Sequence, residues 1–174
     1  DETGEVTERG YHIITNAHVI EDSVNSGKIT VTLTDGTEYV ASPLGADPIS
    51  DVAVLKIKES KELKCATFAS NDYQLRVGDD VIAIGNPLGQ LGGTATAGII
   101  SALDRTLEIE GRTLTLMQTD AAINGGNSGG GLFNSKGELI GIVDAKSSGV
   151  GIEGLAFAIP INAVSEEIND IIEN

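Results

Sequence analysis

The chain has 174 residues, 40% of them hydrophobic and 21% charged, with 22 glycines against 4 prolines. That balance can build a buried core and excludes a disordered or proline-rich chain, and the glycine excess points to tight turns. The net charge of −15 repels phosphate backbones and anionic lipid, so nucleic acid and membrane surfaces are excluded as expected partners.

Strand signals run along most of the chain. Tyr11 to Ile14 reads as a strand that contains His12 and delivers His18 to a strand-to-turn junction. Residues 28–34 (KITVTLT) alternate apolar and polar, and Asp35-Gly36 joins them to 37–41 as a hairpin whose two turn positions are expected at positive φ. Asp47, in Ala46-Asp47-Pro48, reads as a turn or cap aspartate. Further strands are expected at 52–58, at 80–85 (closed by Asn86-Pro87), and at 94–103, 112–119, 139–145 and 155–159. Only at the end does helical spacing appear. Ile161, Val164, Ile168, Ile171 and Ile172 share one face, with Glu166 and Glu167 expected in the first turn.

Many short strands separated by Gly, Asp or Asn predict an all-β barrel or sandwich. Glycines at 89–93 suggest a boundary between two β halves, roughly 1–88 and 94–160, followed by the helix at 161–173. Cys65 is the single cysteine; it can form neither an internal disulfide nor a four-cysteine zinc site, and it reads as a buried, inert thiol. No run is apolar enough to cross a bilayer and no signal peptide is visible, so a mature or excised fragment is expected. Gly149 to Gly154 fits G-x-G-x-x-G, but a strand is expected after it where a dinucleotide site needs a helix, so it reads as a mobile glycine loop.

The residues able to do chemistry centre on Gly126-Asn127-Ser128-Gly129-Gly130. A serine hydroxyl becomes a nucleophile when it is exposed and paired with a base. Flanking glycines allow a sharp bend and free the N–H groups of Gly126 and Ser128 to face a carbonyl oxygen as an oxyanion hole. A glycine-rich turn with an incidental serine is the competing reading. The string also matches the G-x-S-x-G elbow of α/β-hydrolases, which needs a histidine after the serine, whereas His12 and His18 both precede it. The order Asp, His, Ser would leave only Asp1, so the remaining order is His, Asp, Ser, as in chymotrypsin. His18 is the better base and His12 a surface or packing residue. Asp51 opens the apolar run Val52-Ala53-Val54-Leu55, where a charge is costly unless paired, which makes it the candidate partner of the base.

Six motifs then coincide in order: Thr15-Asn16-Ala17-His18-Val19-Ile20, Ser50-Asp51-Val52-Ala53-Val54-Leu55-Lys56-Ile57, Ile84-Gly85-Asn86-Pro87-Leu88-Gly89, Thr96-Ala97-Gly98-Ile99-Ile100-Ser101, Gln118-Thr119-Asp120-Ala121-Ala122-Ile123-Asn124 and Phe157-Ala158-Ile159-Pro160-Ile161. Together they resemble the HtrA/DegP family of trypsin-like serine proteases over nearly the whole chain. The resemblance implies a chymotrypsin-like double β-barrel of two six-stranded barrels with the catalytic triad His18, Asp51 and Ser128. It implies an oxyanion hole at Gly126, Asn127 and Ser128, and substrate pairing as a strand along Val143, Asp144, Ala145 and Lys146. The implied reaction is endopeptidase cleavage of misfolded or extended polypeptide in protein quality control, with no metal and no cofactor. Ala122 stands where trypsin carries its pocket aspartate, and Ile123 and Ala145 line the implied pocket. Small or medium aliphatic residues are therefore expected before the scissile bond, with Lys146 standing where the family often has an apolar residue.

The resemblance also implies an extracytoplasmic setting (periplasm, cell surface or secreted) and a homo-oligomer, a trimer in the family. An opening strand, the N-terminal trimerisation segment and the family's PDZ domain after the helix are expected to be missing from this sequence or divergent, as in a truncated or shortened family member. A protease-like peptide-binding or chaperone module without activity is the alternative function.

Overall fold

The computed structural model describes residues 9–59, 61–86, 93–109, 111–145 and 154–173, without the side chains of 25 and 26. The chain is mostly strand, with a C-terminal helix, and forms two units: Asp1–Cys65 with Ile168–Asn174, and Ala66–Glu167.

In the first unit β1 (Arg9–Thr15) leads into helix α1 (Ala17–Ser26), followed by β2 (Ile29–Thr32), β3 (Glu38–Asp47) and β4 (Val52–Glu59). The strands form an antiparallel sheet in the order β1-β4-β3-β2, with Ile13 opposite Leu55 and Ala46 opposite Ala53. Ile20 from α1 joins Ala41, Ala53, Leu55 and Ile57 in the core of this unit. At 25 cal/mol per Å² or more of apolar surface, burying such side chains is the main source of stability. Four strands are seen among the described residues, where the family resemblance implied six.

The second unit contains β5 (Thr67–Phe68), β6 (Asp80–Gly85), β7 (Thr94–Ile109), β8 (Arg112–Thr119), β9 (Gly131–Asn134), β10 (Glu138–Asp144) and β11 (Ala156–Pro160). Pairing runs β11-β8-β7-β6-β9-β10, and β10 pairs again with β11, which closes a six-stranded antiparallel barrel. Closure removes the exposed edges that an open sheet would present. β5 adds in parallel at the start of β10. Val81, Ala83, Ile100, Met117, Leu132, Val143 and Ala158 fill the barrel. Helix α2 (Ile161–Glu173) buries Ile161, Val164 and Ile168, the stripe expected from the sequence, and within the first unit Ile171 packs on Gly45.

Several expectations change. The boundary expected at 89–93 falls instead between Cys65 and Ala66, because β6 bonds to β7 and β9 and so belongs to the second barrel. Helix α1 occupies the place where a turn was expected after Thr15; its apolar stripe is obscured because Val19 and Val24 face outward at 45% and 49% exposure. The hairpin at Asp35-Gly36 forms, but only Gly36 takes positive φ (85°), while Asp35 Oδ1 accepts from the Thr37 amide. A type I turn closed by a left-handed glycine satisfies the same sequence signal. Cys65 is exposed rather than buried. Glu166 and Glu167 lie in the second turn of α2, because the helix already begins at Ile161. The glycine loop at 149–153 and Lys146 lie outside the described residues.

Candidate active site

The site begins with a helix end that cannot satisfy itself. The first amides of an α-helix have no intrahelical acceptor. Asn16 caps α1 in an extended conformation but makes no side-chain cap bond. Asp51, at the other end of the unit's sequence, supplies the acceptors: its backbone oxygen takes the Ala17 amide (3.2 Å) and the Asn16 Nδ2 (3.1 Å), and its Oδ1 takes the His18 amide (3.0 Å). Its second carboxylate oxygen lies 2.7 Å from His18 Nδ1. A carboxylate only accepts, so Nδ1 is the donor in this pair, which leaves Nε2 as the ring nitrogen able to act as a general base.

Asp51 achieves this grip from an unusual backbone position. Its φ is +57°, one of two positive values among described non-glycine residues, and it closes the turn before β4. Aspartate tolerates the left-handed region better than most residues, and outliers of this kind concentrate where geometry matters. No turn is expected at Asp51 from the sequence; the turn is there, and it aims the carboxylate. Asp51 is 1% exposed and the His18 side chain 17%. Asp47 is the turn aspartate expected, accepting from the Ile49 and Ser50 amides. His12 is exposed on β1 opposite Lys56.

Ser128 lies in the second unit, on a loop made of two consecutive turns. The Asn127 amide donates to Asn124 O (3.1 Å) across Gly126 at φ 94°, and the Gly130 amide donates to Asn127 O (3.0 Å) across Gly129 at φ 81°. Positive φ at the third position only defines type II turns, which is why glycines stand there. A β-turn bonds only its fourth N–H. The Gly129 amide goes to Val143 O (3.0 Å), and among the described residues the amides of Gly126 and Ser128 hold no hydrogen bond. The Asn127 amide is committed to its turn, so Asn127 adds no donor of its own.

The end of β10 is bonded to this loop. Besides the Gly129 bond, Val143 N–H donates to Gly130 O (2.8 Å) and Ala145 N–H donates to Ser128 Oγ (3.2 Å). Asp144 sits between them, a buried carboxylate at 2% exposure. Ile123 is half-buried against the barrel core. The segment leading to the loop is pinned to β7: Thr119 Oγ1 donates to Ile99 O (2.8 Å), Asp120 Oδ1 accepts from the Ile99 amide (2.7 Å) and Thr96 Oγ1 donates to Ala122 O (2.9 Å). A Cβ on Gly98 would overlap Asp120 and Ala121, so that contact requires glycine. The structure thus brings His18 to Asp51 in one unit, and Gly126, Asn127 and Ser128 to Val143, Asp144 and Ala145 in the other. Asn16 was missed as a supporting residue; an asparagine before a helix is a readable signal once the helix is known.

Ser128 thus stands on a glycine turn beside amides unbonded among the described residues, in a closed antiparallel barrel. Residues 2–142 match the family described as trypsin-like peptidase domain, and the chain belongs to that family. Its curated relatives are HtrA/DegP serine proteases. It is 47% identical over 94% of its length to serine protease Do-like HtrB of Bacillus subtilis, spanning 36% of that protein. It is 52% identical over 88% of its length to a probable periplasmic DegP-like serine endoprotease of Buchnera aphidicola, spanning 31% of that protein. Among solved structures it resembles the HtrA-type protease AlgW with decapeptide, with a TM-score of 0.81 and 44% identity over 94% of this chain and 49% of that one. The serine endoprotease from Yersinia pestis gives 0.79 at 39% identity, over 94% of this chain and 54% of that one. These likenesses carry the fold class, a chymotrypsin-like double β-barrel with a C-terminal helix. The chain spans about a third of the curated relatives' length.

Proposed function

We propose that the chain is the protease domain of a serine endopeptidase that cleaves extended polypeptide with His18, Asp51 and Ser128. The observation that carries this reading is the preformed His18–Asp51 pair at 2.7 Å, which leaves Nε2 as the free base. Ser128 Oγ attacks the scissile carbonyl carbon and passes its proton to Nε2. The amides of Gly126 and Ser128 receive the oxyanion, a contribution worth ~10²–10³ in rate per donor. His18 returns the proton to the leaving amine as the acyl-enzyme forms, and water, activated by the same base, releases the acid.

The substrate lies as a strand along the expected 143–146 edge from Asp144 onward, since the Val143 N–H and C=O are already bonded to Gly130 and Gly129, with Ile123 and Ala145 at a pocket that takes small or medium aliphatic side chains. The decapeptide that accompanies AlgW in its solved structure, and the relatives named as periplasmic endoproteases, support a polypeptide substrate and an extracytoplasmic setting; a role in protein quality control is part of the same proposal. Assembly as a homo-oligomer is part of the same proposal.

Incubation with unfolded casein and a serine-directed phosphonate tests it. Cleavage mainly after Val, Ala, Ile or Leu, with an adduct at Ser128, is expected, and Ser128→Ala should lose at least ~10³-fold in turnover. Peptide binding without cleavage or adduct would instead mark a binding module, and cuts mainly after Lys or Arg would refute the pocket.

A further inference from the structure

The geometry points to Gly85, at the end of β6, as a positioning residue for the nucleophile loop, acting through the buried side chain of Asn127. This inference rests on reading Ser128 as the nucleophile and the amides of Gly126 and Ser128 as the oxyanion donors.

Gly85 is absent from the positive-φ glycines, so its backbone does not demand glycine. The space does. A Cβ there would overlap Asn127 Oδ1 and stand 2.9 Å from Asn127 Cγ and 3.0 Å from its Cα. Asn127 is 5% exposed, and its Oδ1 is buried with no hydrogen-bond partner among the described residues. A buried carbonyl oxygen without a donor is costly, and here it is held against the bare methylene of Gly85. The loop meets the strand again one turn later, where a Cβ on Gly130 would overlap the Ile84 carbonyl oxygen and stand 3.2 Å from Gly85 Cα. The end of β6 is thus a flat backbone platform, and the nucleophile loop rests on it with its one buried side chain pointing down.

Asn127 is also the hinge of both turns. Its N–H closes the turn around Gly126, and its C=O closes the turn containing Ser128. A displacement of its Cα therefore tilts both candidate donor amides together. A side chain at residue 85 would act on charge stabilisation in the transition state, while substrate pairing along β10 stays as it is.

The experiment measures kcat and KM on a peptide substrate for wild type, G85A, N127A and G85A/N127A, with S128A as control and thermal melts to verify folding. For G85A, kcat falls ~10²–10³-fold, the cost of losing one donor, with KM within about 3-fold. For N127A, kcat falls at least ~10-fold, as misplacement of reacting groups predicts. Because both changes act on one contact, the double variant is within about 3-fold of N127A, whereas independent sites would multiply their losses. G85A at wild-type kcat, or losses that multiply, overturns the inference. If G85A does not melt cooperatively, N127A decides alone: wild-type kcat overturns it, and a fall in kcat at unchanged KM upholds it. An S128A variant as active as wild type would instead sink the underlying reading, whatever G85A does.

Discussion

Replacing Asp51 by Asn separates charge and tautomer from packing with little else disturbed. Asp51 holds α1 and His18 at four points: its backbone oxygen on Ala17 N–H and Asn16 Nδ2, Oδ1 on His18 N–H, and Oδ2 on His18 Nδ1. The backbone bonds survive the substitution, and asparagine tolerates φ near +57° as well as aspartate does. The amide oxygen must stay on the His18 N–H, which can only donate. The amide NH₂ is then turned toward Nδ1, which has to become an acceptor, and the imidazole proton moves to Nε2, where the mechanism needs a lone pair. A base held in the wrong tautomer costs about 10⁴-fold in kcat in triad enzymes, or roughly 5.5 kcal/mol at 1.36 kcal/mol per decade. Steady-state kinetics on a peptide substrate should show that loss with KM within a few-fold and little change in melting temperature. Asp51→Ala, which also removes the acceptor for the His18 amide and places alanine at φ +57°, should in addition lower stability by about 2 kcal/mol or more, the worth of a helix cap plus left-handed strain. A folded Asp51→Asn variant that loses less than 10-fold would refute the assignment of His18 as base and Asp51 as its partner.

Two further outcomes test the fold. Leu132, fully buried in the closed barrel, should cost about 2–5 kcal/mol when cut to alanine, lowering the melting temperature by roughly 5–15 °C at this chain length; Val40→Ala, at 68% exposure, should stay within about 0.5 kcal/mol. The Tyr39 hydroxyl donates a hydrogen bond to the Glu59 carboxylate, which, with some desolvation and the charge of Glu59, pushes the phenol up to about 12. The folded value is raised, so this contribution to stability is fully present below the ordinary tyrosine value near 10 and fades as pH rises through about 12. An ultraviolet titration of the wild type should therefore show a late ionisation step that Tyr39→Phe removes; a wild-type curve with no such late step, or one that Tyr39→Phe leaves unchanged, would refute it.

How much of this was readable before the coordinates follows from the range over which each feature is determined. Strands announce themselves locally, and the runs at 52–58, 80–85 and 112–119 were found because alternation or continuous burial is a property of a few neighbouring residues. The short β5 and β9 carry too few residues to show a period; β5 is a strand because β10 bonds to it, and β9 because β6 and β10 bond to its two sides. Helix α1 escaped for a related reason: the acceptors for its first amides come from Asp51, more than thirty residues away. Ser128 stands out as a candidate nucleophile because glycine spacing is local, and His18 and Asp51 stand out as its candidate partners because chain order leaves few alternatives and both stand in recognisable motifs. What those motifs could not reveal is how the parts are held: the positive φ that aims Asp51, and the bare methylene of Gly85 under Asn127. Both are relations between segments distant in sequence. In each, the candidate residue for the chemistry is conspicuous, while the feature it rests on looks like ordinary turn or strand sequence.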